Sequence, residues 1–346
     1  MKADLYISGV PMRIELWKES EYNRPAAFGF MPDLHAYLHE DAVSRPCVIV
    51  LPGGCYRYCS PAEGELPALK FYRMGYQAFV LTYTTNPLLN APLYDQPMRD
   101  LDRAVRLLRA DAQQYRIKPD RIVVLGFSAG GHNAASLCCH WRDMEDPDPA
   151  LQSFSGRPDA AVLAYSVITF GRYSHRESVT ALIGGEEGRP QSRFADPAYF
   201  SLENQVTRDV PPTFLWQTQT DDSVPVENSF LYASALRRAG IPFACHIFSS
   251  GTHGLSLADE DWGNGRIGGY YTYQQIEKLL EALRGGAMPS LTGNRREEAI
   301  ALLQAELDKD RTHNQLRINP EVMTWPALAD DFLRTVFGDD SKNRNA

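Results

Sequence analysis

Apolar positions along this chain follow two alternating rhythms. Short, largely apolar runs occur at Cys47–Leu51, Ala78–Thr82, Ile122–Leu125, Ala161–Ala164, Thr213–Trp216 and Phe243–Phe248. Runs this short and this uniformly apolar predict strands buried on both faces. Between them the spacing changes to the helical one, as at Met98, Leu101, Val105 and Leu108. A second helical stretch from Phe230 to Ala239 stops at Gly240, with Pro242 beyond it. Alternation of this kind predicts a mostly parallel central sheet with helices on both faces, an α/β fold. The first forty residues differ: Leu34, Ala36 and Leu38 alternate with polar or amphipathic neighbours, as do Ile14 and Leu16, predicting antiparallel edge strands. Late in the chain, Ile276, Leu279, Leu280 and Leu283, then Ile300, Leu303 and Leu307, predict two helices. A last helix is expected from Trp325, with Pro326 in its first turn and Leu328 and Phe332 on the same face.

With 346 residues the chain has ample length for a sizeable core. Its net charge of −8 argues against nucleic acid or an anionic membrane as a partner, because both need a basic surface. No apolar run approaches the roughly 18 residues of a spanning helix, and no signal peptide is expected at Met1–Tyr6. The six cysteines form no secreted framework, so a reduced, cytoplasmic protein is expected.

The chemistry concentrates at strand ends. Val123-Val124-Leu125 runs into Gly126-Phe127-Ser128-Ala129-Gly130, followed at once by a small-residue helix start. A Gly-x-Ser-x-Gly in a strand–turn–helix context projects its serine from a sharp turn, which makes Ser128 a candidate nucleophile. A serine alcohol needs a base, an orienter for the base and donors for the oxyanion. The candidate base is His253, in Ser250-Gly251-Thr252-His253-Gly254 after the last strand. The orienter is expected in Asp221-Asp222-Ser223, with Asp221 preferred and Asp222 a cap for the turn or the following helix. Oxyanion donors are expected from the N–H of Ala129 and of Gly54 or Cys55, in Pro52-Gly53-Gly54-Cys55-Tyr56-Arg57. Tyr56 and Arg57, next in that loop, are candidate substrate-binding residues. Cys55, Cys59, Cys138, Cys139 and His140 lack zinc-ligand spacing, His132 reads as structural, and no cofactor or metal is expected.

Taken together, these motifs resemble the α/β-hydrolase superfamily, and within it the small bacterial acetylesterase or xylan-esterase-like branch. That branch tends to carry Pro-Gly-Gly-Gly-Tyr-Arg, Gly-Phe-Ser-Ala-Gly-Gly-His, an Asp loop followed by Val-Pro-Val-Glu-Asn-Ser, and His-Gly-Leu-Ser. Here stand Pro52 to Arg57, Gly126 to His132, Asp221 to Ser229 and His253 to Ser256, over about residues 10–260. The resemblance implies a serine ester hydrolase for short acyl groups, with a small ester, such as one on an acetylated oligosaccharide, as substrate. Rival readings are a prolyl-oligopeptidase-type peptidase, which lacks its propeller repeat here, and a non-catalytic binding protein on the same scaffold. Two departures stand out. Cys55 replaces a glycine at the oxyanion rim, and residues 262–320 separate the His loop from the closing helix. The expected organisation is a core over 1–261, a helical insertion over 262–320, a closing helix over 321–338 and a flexible tail over 339–346. The insertion is expected as a lid, a homo-oligomer contact or a peripheral hairpin.

Overall fold

The computed structural model describes residues 11–187, 189–265, 268–288, 291–309 and 318–338; the expected tail lies outside them. Its eight strands are β1 (Met12–Glu15), β2 (Asp33–Tyr37), β3 (Arg45–Leu51), β4 (Gln77–Thr82), β5 (Ile117–Phe127), β6 (Ala160–Ala164), β7 (Thr213–Thr218) and β8 (Phe243–Phe248). They form one sheet in the order β1-β2-β4-β3-β5-β6-β7-β8. β1 and β2 pair antiparallel, β2 pairs antiparallel with β4, and every pairing from β4 to β8 is parallel.

The helices are α1 (Glu65–Arg73), α2 (Gln96–Ala110), α3 (Ser128–His140), α4 (Pro149–Gln152), α5 (Arg176–Ile183), α6 (Glu227–Ala239), α7 (Glu260–Gly263), α8 (Gln274–Arg284), α9 (Asn294–Leu307) and α10 (Trp325–Phe337). Successive side chains of a strand point to opposite faces, and the core divides accordingly. Cys47, Ile49 and Leu51 of β3 pack with Met98 and Leu101 of α2, Leu137 of α3 and Leu236 of α6. Val48 and Val50 pack in the opposite layer with Phe71 of α1 and Trp325, Ala329 and Leu333 of α10. Both faces are covered, which is why the parallel strands read as unbroken apolar runs.

Three elements depart from the sequence expectation. β2 is buried along both faces, although one was expected to be polar. His35 is covered by the ring of Tyr271, stacked at 3.7 Å, and Tyr37 donates to Glu65 and meets the Tyr271 hydroxyl at 2.9 Å. Tyr271, far along the chain, thus shields the polar side of the second strand of the sheet. β5 begins at Ile117, because Arg45 of β3 pairs with it across a register shift. β7 runs on through Gln217 and Thr218, whose polarity disguises them as loop.

α8 and α9 bury Ile276, Leu279, Leu280, Leu283 and Leu303 against one another. This pair is docked on the core by Gln275, whose Oε1 accepts from the N–H and hydroxyl of Thr85 and whose Nε2 donates to Thr85 O at 2.7 Å. Tyr273 also meets Tyr58 edge-on, with ring centroids 6.0 Å apart.

Candidate active site

Strand order reverses on either side of β3, since its neighbours β4 and β5 are reached by crossovers in opposite directions. In such sheets a crevice opens at the carboxyl ends of the strands. The segments that directly follow β3, β5, β7 and β8 carry the candidate nucleophile, base, orienter, oxyanion donors and substrate-binding residues.

Phe127 ends β5 and Ser128 opens α3 with φ of 50°, a left-handed conformation that costs about 1–3 kcal/mol for a non-glycine residue. Its surroundings enforce that strain. A Cβ at Gly126 would lie 2.4 Å from Gly130 O, and one at Gly130 would lie 2.2 Å from Leu51 O. The turn is therefore wedged between β5, α3 and the end of β3, and only glycine fits at those two places. Ala129 lies in the first turn of α3, where backbone N–H groups lack helical partners and the helix dipole favours negative charge.

His253 lies with Nε2 2.9 Å from Ser128 Oγ, and its Nδ1 is 2.9 and 3.1 Å from the two oxygens of Asp221. A carboxylate only accepts, so the imidazole proton sits on Nδ1 and Nε2 is left to accept from the serine hydroxyl. The Asp221 side chain is 1% exposed. Its Oδ1 also accepts from the N–H of Ser223 and Val224, so this carboxylate makes the turn as well as facing the imidazole. Asp222 does not cap the helix as anticipated: its Oδ1 accepts from the backbone N–H of His253 at 3.0 Å. Adjacent side chains point opposite ways from this turn, so the two acids hold the ring and the backbone of one histidine.

In the loop after β3, Gly53 N–H donates to the carboxylate of Glu63. The N–H groups of Gly54 and Cys55 meet no protein acceptor among the described residues, and the chain turns there through φ of 118° and 58°. They follow the carboxyl end of β3, and Gly53 just before them lies against Ser128, where a Cβ would fall 2.9 Å from that of the serine.

Tyr56 is a correction. Its ring is 1% exposed, and its hydroxyl donates to Nδ1 of His132 at 2.8 Å while His132 Nε2 donates to Phe200 O. A side chain so enclosed packs against α3 beneath the turn at Ser128 and has no surface left to offer a ligand. Burial also pushes the His132 pKa down to about 4, as expected for an imidazole kept neutral within the core.

Arg57 is partly exposed and ion-pairs with Glu177 at 2.5 Å, while its Nε donates to Pro87 O. Cys55 Sγ, a His175 nitrogen and a Glu177 oxygen lie within 4.8 Å of one another, the one such trio among the described residues that could offer ligands to a metal. The environment opposes that use. Glu177 is already engaged by a guanidinium, and burial together with Glu177 pushes the Cys55 thiol up to about 12, far from a thiolate. Burial, foremost, lowers the His175 pKa.

Sequence reasoning did not find Glu63, Tyr165, His175, Glu177, Asn319 or Glu321. Asn319 donates to Ser250 O, and Glu321 accepts from the N–H and hydroxyl of Ser249, so both brace the His253 loop from far along the chain. Trp325 Nε1 donates to Ser256 O and adds a third brace from the closing helix. Only Trp325 carried a signal, its place at the start of an apolar helix.

Comparison with known proteins decides the lineage. The BD-FAE family model matches residues 34–236. The chain belongs to the BD-FAE family. Solved structures share the fold just described, and curated proteins resemble the chain in sequence. The chain is 46% identical to endo-1,4-beta-xylanase B of Butyrivibrio fibrisolvens over 81% of its own length and 44% of that protein. It is 29% identical to the acetylxylan esterase of Xylanibacter ruminicola over 64% of its length and 43% of that protein. The chain therefore spans less than half the length of these curated relatives. Among solved structures, the acetyl ester-xyloside bifunctional hydrolase from Caldicellulosiruptor lactoaceticus superposes with a TM-score of 0.66 at 36% identity, covering 83% of this chain and 100% of that one. The carboxylesterase Cest-2923 from Lactobacillus plantarum gives 0.56 at 26% identity, covering 77% and 96%. The eight-stranded, mostly parallel sheet flanked by helices is thus an α/β-hydrolase fold, as the four motifs implied.

Proposed function

We propose that this BD-FAE member is a serine carboxylic-ester hydrolase that removes short acyl groups, acetyl foremost, from acylated sugars. The observation that carries the reading is His253 bonded through Nε2 to Ser128 Oγ and through Nδ1 to a buried Asp221. In this mechanism Ser128 Oγ attacks the ester carbonyl as its proton passes to His253 Nε2. The tetrahedral oxyanion accepts from the N–H of Ala129 and from that of Gly54 or Cys55. Asp221 stabilises the imidazolium, which then protonates the departing alkoxide. Water, deprotonated by His253, attacks the acyl-serine and releases the carboxylic acid, restoring the serine. Every proton is carried by His253, so the cycle calls for no cofactor.

The sugar half of the reading is supported by the names of the relatives and by local chemistry. Arg57, Glu177 and His175 form a polar wall beside Cys55, with charged donors and acceptors of the kind that bind vicinal hydroxyls. Because Cys55 Sγ lies against Glu177 and His175, the residue replacing the usual glycine belongs to this wall and leaves its backbone N–H for the oxyanion. The test is a panel of acetyl, butyryl and feruloyl esters beside acetylated xylo-oligosaccharides. The highest kcat/KM is expected on acetylated sugars, and a preference for long acyl chains or for peptides would overturn the assignment.

A further inference from the structure

Glu63 is a buried carboxylate that the proposed reaction does not use. It closes the short turn Pro61–Glu63 and is 5% exposed. An ionised group so enclosed is costly unless donors surround it. Its Oε2 accepts from Gly53 N–H at 2.9 Å, and its Oε1 accepts from the Tyr165 hydroxyl at 2.6 Å.

Tyr165 directly follows β6, with φ of 36°, and its N–H donates to Trp216 O. Its hydroxyl oxygen in turn accepts from the N–H of Ser256, three residues beyond His253. Its ring meets the His253 imidazole edge-on, with centroids 4.9 Å apart and planes at 71°. Ser256 Oγ donates to Ala62 O at 2.6 Å, closing the circuit back to the turn that carries Glu63.

We propose that Glu63 and Tyr165 are positioning residues that lock the oxyanion loop after β3 to the histidine loop after β8. The proposal rests on the serine-esterase reading above. Gly53 immediately precedes the Gly54 donor, so the bond to Glu63 sets the plane from which the next amide points. The hydroxyl on Ser256 and the ring against His253 set where the base stands. Ser128 lies between the two loops, so this chain of bonds fixes the span between oxyanion donors and base. Charge-assisted bonds suit the task, since they are shorter and stronger than neutral ones. Misplacement by a fraction of an ångström acts on the transition state more than on the bound ester, so kcat should fall while KM holds.

The experiment compares Glu63→Ala, Glu63→Gln, Tyr165→Phe and the double variant Glu63→Ala/Tyr165→Phe on 4-nitrophenyl acetate, with melting temperature measured in parallel. Glu63→Ala should lose on the order of 100-fold in kcat and Tyr165→Phe about tenfold, each with KM changed less than about threefold. Glu63→Gln, which keeps the shape and one acceptor, should recover kcat to within about fivefold of the wild type. The double variant should be no slower than Glu63→Ala, because both changes break one circuit. If Glu63→Ala does not fold, Glu63→Gln and Tyr165→Phe carry the comparison. Folded variants with unchanged kcat, or losses that multiply, overturn the positioning role while leaving the esterase standing. A wild type inert to aryl acetates and to fluorophosphonates overturns both.

Discussion

The two halves of the site are held in place by different means. The serine half, from Phe127 to His132, sits at the middle of the sheet and is fixed by backbone crowding: Gly126 and Gly130 touch main-chain atoms of α3 and β3 directly. The histidine half hangs from β7 and β8 at one edge of the sheet, and β8 is only half-buried along most of its length. Its loop is held by side-chain bonds from Asp221, Asp222, Thr220, Asn319 and Glu321. Steric enforcement is local, all-or-none and written in glycines. Hydrogen-bond enforcement is graded and recruits residues from anywhere in the chain.

That contrast predicts unequal responses. On the histidine side the largest effect should come from Asp221→Asn, which presents an amide in place of the acceptor for Nδ1–H and favours the wrong tautomer. A drop of about 1,000- to 10,000-fold in kcat is expected, in steady-state ester hydrolysis. Asp222→Asn, which keeps an acceptor for His253 N–H, should cost about tenfold or less. Equal losses in the two variants would erase the distinction between ring and backbone support.

On the serine side the largest effect should be on folding. His132 remains neutral down to a pKa of about 4, whereas an unfolded imidazole takes up its proton near 6.5. Its folded pKa is lowered, so the stability it contributes is complete above about pH 6.5 and is lost as pH falls through 4. The two values correspond to about 3 kcal/mol. Thermal melts at pH 7 and pH 4.5 should show a marked fall in the wild type that is smaller in His132→Gln. A melting temperature independent of pH over that range would contradict the account. The smallest effect should come from Asn319→Ala, which removes one exposed bond to Ser250 O: a kcat reduction of about two- to fivefold with little change in melting temperature.

Legibility in the sequence follows the same division. The parallel strands were plain because both faces are buried, and the elbow because its steric demands leave no choice of residue at Gly126 and Gly130. Asp221 and His253 were readable through their places after β7 and β8. Glu63, Asn319 and Glu321 were not, since a side chain that completes a distant loop's bonding leaves no local periodicity or motif. Tyr56 misled for a related reason: it follows the loop's candidate donors, yet its ring, at a left-handed φ of 61°, lies buried with its hydroxyl on His132 of α3. The polar face of β2 looked solvated because Tyr271, which covers His35, lies more than 200 residues away.

The central claim is that Ser128 is an activated nucleophile and that the two halves act together on it. Peptide mapping after treatment with a fluorophosphonate tests it most directly. The account predicts a single adduct on the peptide containing Ser128 in the wild-type chain, absent in Ser128→Ala and formed far more slowly in His253→Ala. An unlabelled wild type, or an adduct on any other residue, would contradict it.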